Sequence, residues 1–285
     1  MTAATTTPRT TGPADGGTTA DDARAAGTIV SLRTFGSVLW RDVFVTGREL
    51  VPFLAQVVIQ PFFMLFIFGK VLGSLGYVNS AAFGPILMAG IVALNGFLGG
   101  LQNTTMPLIM DFSFTREIED RLLAPMPIPL VAVEKMVFGA LRGIISAVLM
   151  VPVGLLILPS VSWPARDLAP VFGVIVLGSL AGAAIGMTIG TLVTPRRINI
   201  MFAVILTPLM FTGCTQFPWR GLDHLRWFQV VCALNPLTYV SEGMRAILVR
   251  GLPSIPLWLD LLAVVAAILI FGGIGITGFM RRAID

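Results

Sequence analysis

The chain has 285 residues, of which 55% are hydrophobic and 12% charged, about half the charged share of an ordinary soluble domain. Its mean hydropathy of +0.88 excludes a soluble globular protein and makes it an integral membrane protein. The net charge of +4 comes from basic residues scattered between apolar stretches rather than gathered on one face, which excludes a nucleic-acid surface.

Residues 1–30 are rich in Thr, Ala, Gly and Pro and read as a disordered cytoplasmic tail. They lack the apolar core of a signal peptide. The remaining residues, 31–285, read as one transmembrane domain. Leu32, Phe35, Leu39, Val43 and Leu50 recur at helical spacing opposite Arg33, Ser37, Arg41 and Arg48. That pattern predicts an interfacial amphipathic helix over 32–49, lying in the membrane surface. A cytoplasmic extension of the first span is the competing reading.

Six apolar stretches, at 51–73, 83–107, 136–158, 168–193, 200–216 and 256–280, approach the ~20 residues that cross a bilayer as helix. They are too long and too evenly apolar for barrel strands. The expected fold is therefore an all-α polytopic membrane protein with six transmembrane helices. Pro52, Pro61, Pro107, Pro152 and Pro208 mark kinks. Gly178, Gly182, Gly186 and Gly190 form a small-residue ridge that lets another helix approach closely.

Between the second and third spans stand six charges, Asp111, Arg116, Glu117, Glu119, Asp120 and Arg121. In lipid they would cost roughly 15–20 kcal/mol, which places them in water. Glu117 precedes Arg121 by four residues, as Arg116 precedes Asp120, so a short charged helix is expected, ended by Pro125, Pro127 and Pro129. A solvated loop helix without a partner is the bland alternative.

Residues 216–253 are too polar for a span and too apolar for an ordinary loop, and they predict an outer re-entrant helical hairpin. Phe217, Pro218, Trp219, Trp227 and Phe228 would anchor it at the interface. Asn235-Pro236 separates its two short helices, and Glu242 and Arg245 fall at i, i+3, near enough to pair.

With both termini cytoplasmic, thirteen basic residues lie inside, Lys135, Arg142, Arg281 and Arg282 among them, against six outside. A multi-pass plasma-membrane protein is expected. Seventeen arginines against two lysines fit a GC-rich bacterial genome. Cys214 and Cys232 fall near the outer face, where a bridge and simple packing both remain open. His224 is the only histidine, so no metal site is expected.

An ion-coupled carrier would place a carboxylate within the membrane. No predicted span has one near its centre; Asp260 lies by the outer end of the last span and Glu134-Lys135 at the cytoplasmic mouth of the third. There is no HExxH, no Ser–His pair at one depth and no GxxxxGK[ST], so the chain is not expected to be an enzyme, and any nucleotide hydrolysis falls to another chain. Gln56, Gln60, Asn95, Gln102 and Asn103 are candidate polar contacts along a substrate pathway. Hydrogen bonding between helices is the rival reading for each.

The run Thr115-Arg116-Glu117-Ile118-Glu119-Asp120-Arg121-Leu122-Leu123-Ala124-Pro125-Met126-Pro127 resembles the coupling-helix region of type-2 ATP-binding-cassette (ABC-2) exporter permeases. Many relatives carry Gly-Thr-Leu-Glu where this chain has Asp120-Arg121-Leu122-Leu123. Asn235-Pro236-Leu237-Thr238-Tyr239-Val240-Ser241-Glu242-Gly243-Met244-Arg245 is similar to the segment that follows the fifth span in the same family. The likeness covers residues 30–282, and among subgroups it looks most like the daunorubicin-resistance type.

The resemblance implies a cytoplasmic coupling helix carrying Arg116, Glu117, Glu119, Asp120 and Arg121, and an outer motif carrying Asn235, Pro236, Tyr239, Glu242 and Arg245. It implies a permease subunit of an ATP-driven exporter of an amphiphilic drug or lipid. Such a chain binds no cofactor itself; ATP and Mg sit on the partner ATPase. Its partners would be two ABC ATPase subunits, a second permease copy or paralogue, and membrane lipid, with no nucleic acid. The alternatives are a polysaccharide or lipid-linked glycan exporter permease on the same frame, and an ion-coupled secondary carrier working alone.

Overall fold

The computed structural model describes residues 36–37, 39, 50–77, 79–112, 127–158, 161–194, 197, 200 and 202–284, and among them every regular element is helical. The tail, most of the interfacial stretch 32–49 and the charged tract 113–126 lie outside the described residues.

Helix α1 (Leu50–Leu65) contains Pro61 and runs on through a π turn, Phe66–Val71, to Ser74. It is followed by α2 (Ser80–Met110), α3 (Ile128–Ile157) and α4 (Leu168–Leu192). A π segment, Phe202–Leu206, leads into the short α5 (Thr207–Thr212), and α6 (Arg226–Ala233), α7 (Pro236–Leu248) and α8 (Leu257–Ile284) complete the chain.

Among the described residues four helices are long and apolar enough to cross a membrane: Phe83–Met110, Ile128–Ile157, Ala165–Leu192 and Leu257–Arg282. The expected spans 51–73 and 200–216 correspond to shorter apolar helices, Val58–Ser74 and Ala203–Thr212. The latter stops at Thr212 because Gly213 and Cys214 leave helical geometry, Cys214 at φ 49° in the left-handed region.

The third long helix corrects the sequence reading at its start. It begins at Ile128, not 136, with Pro127 at the N-cap and Pro129 in the first turn. There a missing N–H leaves no helical bond unmade, and the fixed φ suits the helix. Pro127 and Pro129 thus open α3, while Pro125 and the helix they were expected to end lie outside the described residues.

Helix α2 is the central post, packed between α3 and α4. The glycine ridge of α4 makes this possible. A Cβ at Gly182 would strike Phe97 O of α2, one at Gly186 would lie 2.5 Å from Leu101 O, and one at Gly190 would lie 2.8 Å from Leu108 Cδ2. Helix α3 meets α2 through glycines that sequence reading did not single out: a Cβ on Gly143 would stand 2.5 Å from Gly96 O and 2.6 Å from Gly100 N. In lipid, helices associate through such close packing and through hydrogen bonds between them. Thr105 Oγ1 donates to Gly186 O at 3.1 Å, and Thr188 Oγ1 to Phe271 O of α8 at 2.6 Å.

Candidate functional site

The turns of α2 place Asn95, Gly99, Gln102, Asn103, Met106 and Met110 along one stripe, because residues three and four apart share a helix face. That stripe forms a wall of a cavity of about 600 Å³. Helix α1 contributes Gln60 and Met64, α3 contributes Arg142 and Ser146 one turn apart, and α5 contributes Met210. The volume suits a drug-sized or single-tailed molecule. The wall is amphipathic: amides, a hydroxyl and a guanidinium line it together with methionines, whose flexible thioethers adapt to varied shapes.

Four of the five residues singled out as pathway candidates, Gln60, Asn95, Gln102 and Asn103, therefore line one cavity. The fifth, Gln56, falls within 51–57, whose side chains lie outside the described residues. The rival reading also holds in part. Asn95 Nδ2 donates across to Ser146 O of α3 at 3.5 Å, and Asn103 Nδ2 donates back to Gly99 O at 2.7 Å. Gln60 and Gln102 make no hydrogen bond among the described residues.

Arg142 is a lining residue that sequence reading did not single out for the pathway. It stands near the middle of α3, which spans Ile128–Ile157, with its Cζ 5.5 Å from the centroid of the Phe138 ring. The available signal is a charge inside an apolar stretch, which in a membrane marks a cavity or pathway.

At the C-terminal end of α2 the expectation that all six charges sit in water is corrected for Asp111. Asp111 is only 6% exposed, and Lys135 Nζ of α3 approaches its Oδ2 to 2.7 Å. The adjacent Phe112 packs on Phe279 of α8 with ring centroids 5.4 Å apart, and Arg282 Cζ lies 4.7 Å from the Phe112 centroid. Arg282 Nη1 also donates to Gly190 O and Thr191 O, at 3.2 and 3.3 Å. A cation at the end of α4 satisfies carbonyls that the helix leaves free and complements its dipole. Glu134 and Lys135, expected at the mouth of the third span, are buried in the second turn of α3. The coupling residues Arg116, Glu117, Glu119, Asp120 and Arg121 lie outside the described residues.

The second motif is built around a buried ion pair. Asn235 caps α7 by accepting from Leu237 N at 3.0 Å, and its Nδ2 donates to Leu209 O at 2.7 Å. Pro236 occupies the first helical position, where proline fits. Tyr239 Oη donates to Ala233 O at 2.7 Å, closing the α6–α7 corner. Glu242 Oε1 accepts from Arg245 Nη1 at 2.7 Å and from Trp219 N at 3.0 Å, and both side chains of the pair are fully buried. Arg245 also donates to Cys214 O and, from Nε, to Ile86 O of α2 at 3.4 Å. One guanidinium thus ties α7, the turn after α5 and α2 together.

Trp219, expected as an interfacial anchor, is tied to α6 through Nε1, which donates to Gln229 O at 3.0 Å. Trp227, expected as an interfacial anchor too, is 68% exposed. Cys214 and Cys232 are both buried free thiols, and they neighbour each other.

The family model described as ABC-2 type transporter matches residues 33–249. The chain is 27% identical over 219 residues to the inner membrane transport permease YadH of Escherichia coli K12, covering 73% of this chain and 80% of that one. It is 24% identical over 199 residues to the putative transport permease ycf38 of Porphyra purpurea, covering 67% of this chain and 65% of that one. No solved structure matches.

Proposed function

This chain belongs to the ABC-2 type transporter family, and on that premise we propose that it is the transmembrane permease subunit of an ATP-driven exporter. Its cargo is an amphiphile, a drug or a lipid, moved out across the plasma membrane. The observation that carries this reading is the cavity of about 600 Å³, whose lining interleaves Gln60, Asn95, Gln102 and Asn103 with Met64, Met106, Met110 and Met210. A conduit for amphiphiles needs such a wall, because the polar end of the cargo would otherwise meet hydrocarbon.

ATP and Mg bind two partner ABC ATPase subunits, since this sequence holds no phosphate-binding loop. A second permease copy completes the pathway, six spans traverse the bilayer, and both termini face the cytoplasm. The tract of Arg116, Glu117, Glu119, Asp120 and Arg121 receives the push of the ATPases. It connects α2 to α3, and the flanking ends of those helices are clamped by Lys135 and Asp111 at 2.7 Å. Movement of the tract therefore reaches the two helices that line most of the cavity, as a rigid-body shift rather than a local deformation. The hairpin of α6 and α7, held by Glu242 and Arg245, re-enters the outer leaflet and closes that end.

The test is ATP-dependent uptake of a fluorescent amphiphile into inside-out vesicles holding the permease with an ABC ATPase encoded beside it. Replacing Glu117 and Arg121 together by alanine abolishes uptake at matched permease levels. Uptake by the permease alone, driven by a pH or sodium gradient, would overturn the reading in favour of an ion-coupled carrier.

A further inference from the structure

We infer that the groove shared by the ends of α4 and α8 is a binding site for an anionic phospholipid of the bilayer, with Arg281 and Arg197 as the contacts for its phosphate. The inference stands apart from the exporter reading, because it needs only that these helix ends meet the membrane surface.

Two adjoining cavities make the groove. One, of about 530 Å³, lies between α4 and α8 and is lined by Thr191, Leu192, Ile274, Thr277, Arg281 and Arg282. The other, of about 430 Å³, runs from Leu192 past Arg197 to Ile200 and Val204. Leu192 lines both and joins them.

The three arginines divide by role. Arg282 turns inward, its Nη1 donating to Gly190 O, Thr191 O and Val193 O, and its guanidinium lies over the Phe112 ring. Arg281 and Arg197 are exposed, and neither makes an ion pair or a side-chain hydrogen bond among the described residues. No carboxylate stands among the described lining residues of either cavity. The fork of a guanidinium matches the paired oxygens of a phosphate.

The surroundings decide which phosphate. Leu192, Ile200, Val204 and Ile274 are all exposed apolar side chains. Helices α4 and α8 are both long and apolar enough to cross a membrane, and their spanning stretches end at Leu192 and Arg282. The apolar wall therefore meets hydrocarbon, while the arginines stand at its edge, where long cationic side chains reach head groups. A free phosphate would use no part of that wall, and a water-soluble protein would have to cover surface that belongs in lipid. A phospholipid engages both halves, its phosphate on the cations and its chains on the wall. Basic clefts between spanning helices select anionic head groups in this way. Phosphatidylcholine brings a cation of its own beside the phosphate and loses the advantage.

The test places the full-length permease in phosphatidylcholine nanodiscs that contain spin-labelled phosphatidylglycerol or spin-labelled phosphatidylcholine, and reads the protein-bound fraction from the immobilised part of the spectrum. The native protein holds phosphatidylglycerol at least about fivefold more tightly, the ratio that one basic side chain at a membrane surface supplies. Arg197→Gln together with Arg281→Gln brings the ratio near one. Arg220→Gln, which removes an exposed arginine outside the groove, leaves it unchanged. Equal retention of the two lipids by the native protein, or an undiminished preference in the folded double variant, overturns the inference.

Should the double variant fail to fold, phosphatidylglycerol with a photoreactive acyl chain decides on the native protein. Labelling at Leu192, Val204 or Ile274 supports the groove, and labelling confined to the exposed Leu262 and Leu269 of α8 overturns it. Two competitors separate the remaining occupants. Release of the lipid by glycerol phosphate added from water identifies a site for free phosphate, and release by an ABC ATPase encoded beside the permease identifies a protein contact; either result overturns the lipid assignment. Retention against both supports it.

Discussion

Lys135 Nζ lies 2.7 Å from Asp111 Oδ2, so one buried ion pair bolts the last turn of α2 to the second turn of α3. Each side chain is 8% exposed, and removing one partner strands the other charge out of water. Lys135→Ala or Asp111→Ala should each lower stability by about 3–5 kcal/mol. The double replacement by leucine should recover most of that loss, because a packed apolar pair carries no desolvation penalty. Unfolding of the purified variants by SDS titration in mixed micelles checks both; a double variant no better than either single would show that the pair is not the clamp.

Glu242 and Arg245 make the stronger case, being fully buried and shared with Trp219 N and with carbonyls of two other segments. Glu242→Gln leaves the guanidinium uncompensated and should cost about 3–5 kcal/mol. Tyr239→Phe removes one hydrogen bond, to Ala233 O, and should cost about 1 kcal/mol. The same titration reads the order of the two, and the reverse order would refute the central place given to the pair.

The approach of α4 to α2 predicts a contrast between two glycines on one helix. Gly182→Ala drives a methyl into Phe97 O and should destabilise by about 1–3 kcal/mol, with less protein in the membrane. A methyl added at Gly173 would meet nothing within 4 Å, so Gly173→Ala should be neutral or stabilising by up to about 1 kcal/mol. Expression level and melting temperature in detergent measure the contrast.

Cys214 and Cys232 are free, and both are buried. A buried sulfur meets reagent only when the fold opens locally, which slows its alkylation. Maleimide should label Cys214 slowly in the folded protein at pH 7. After SDS unfolding without reductant it should label two thiols per chain. A count of zero would establish a disulfide.

Composition alone determined that this is a membrane protein of helices, because no soluble core can hide so much apolar surface and no strand is as long as these stretches. The spacing of Gly178, Gly182, Gly186 and Gly190 forecast a close helix contact, and Glu242 with Arg245 forecast a pair, since both patterns are local and repeat with the helix itself. Asn95, Gln102 and Asn103 share one face of one helix, so their common wall was legible too. What the chain could not disclose was which helix faces which. That Asp111 leaves water for Lys135, that Arg142 lines a cavity, and that Arg245 reaches Ile86 O were decided by tertiary packing. A charge written in sequence carries no depth; only neighbouring helices supply the partner or the open space that makes its burial tolerable.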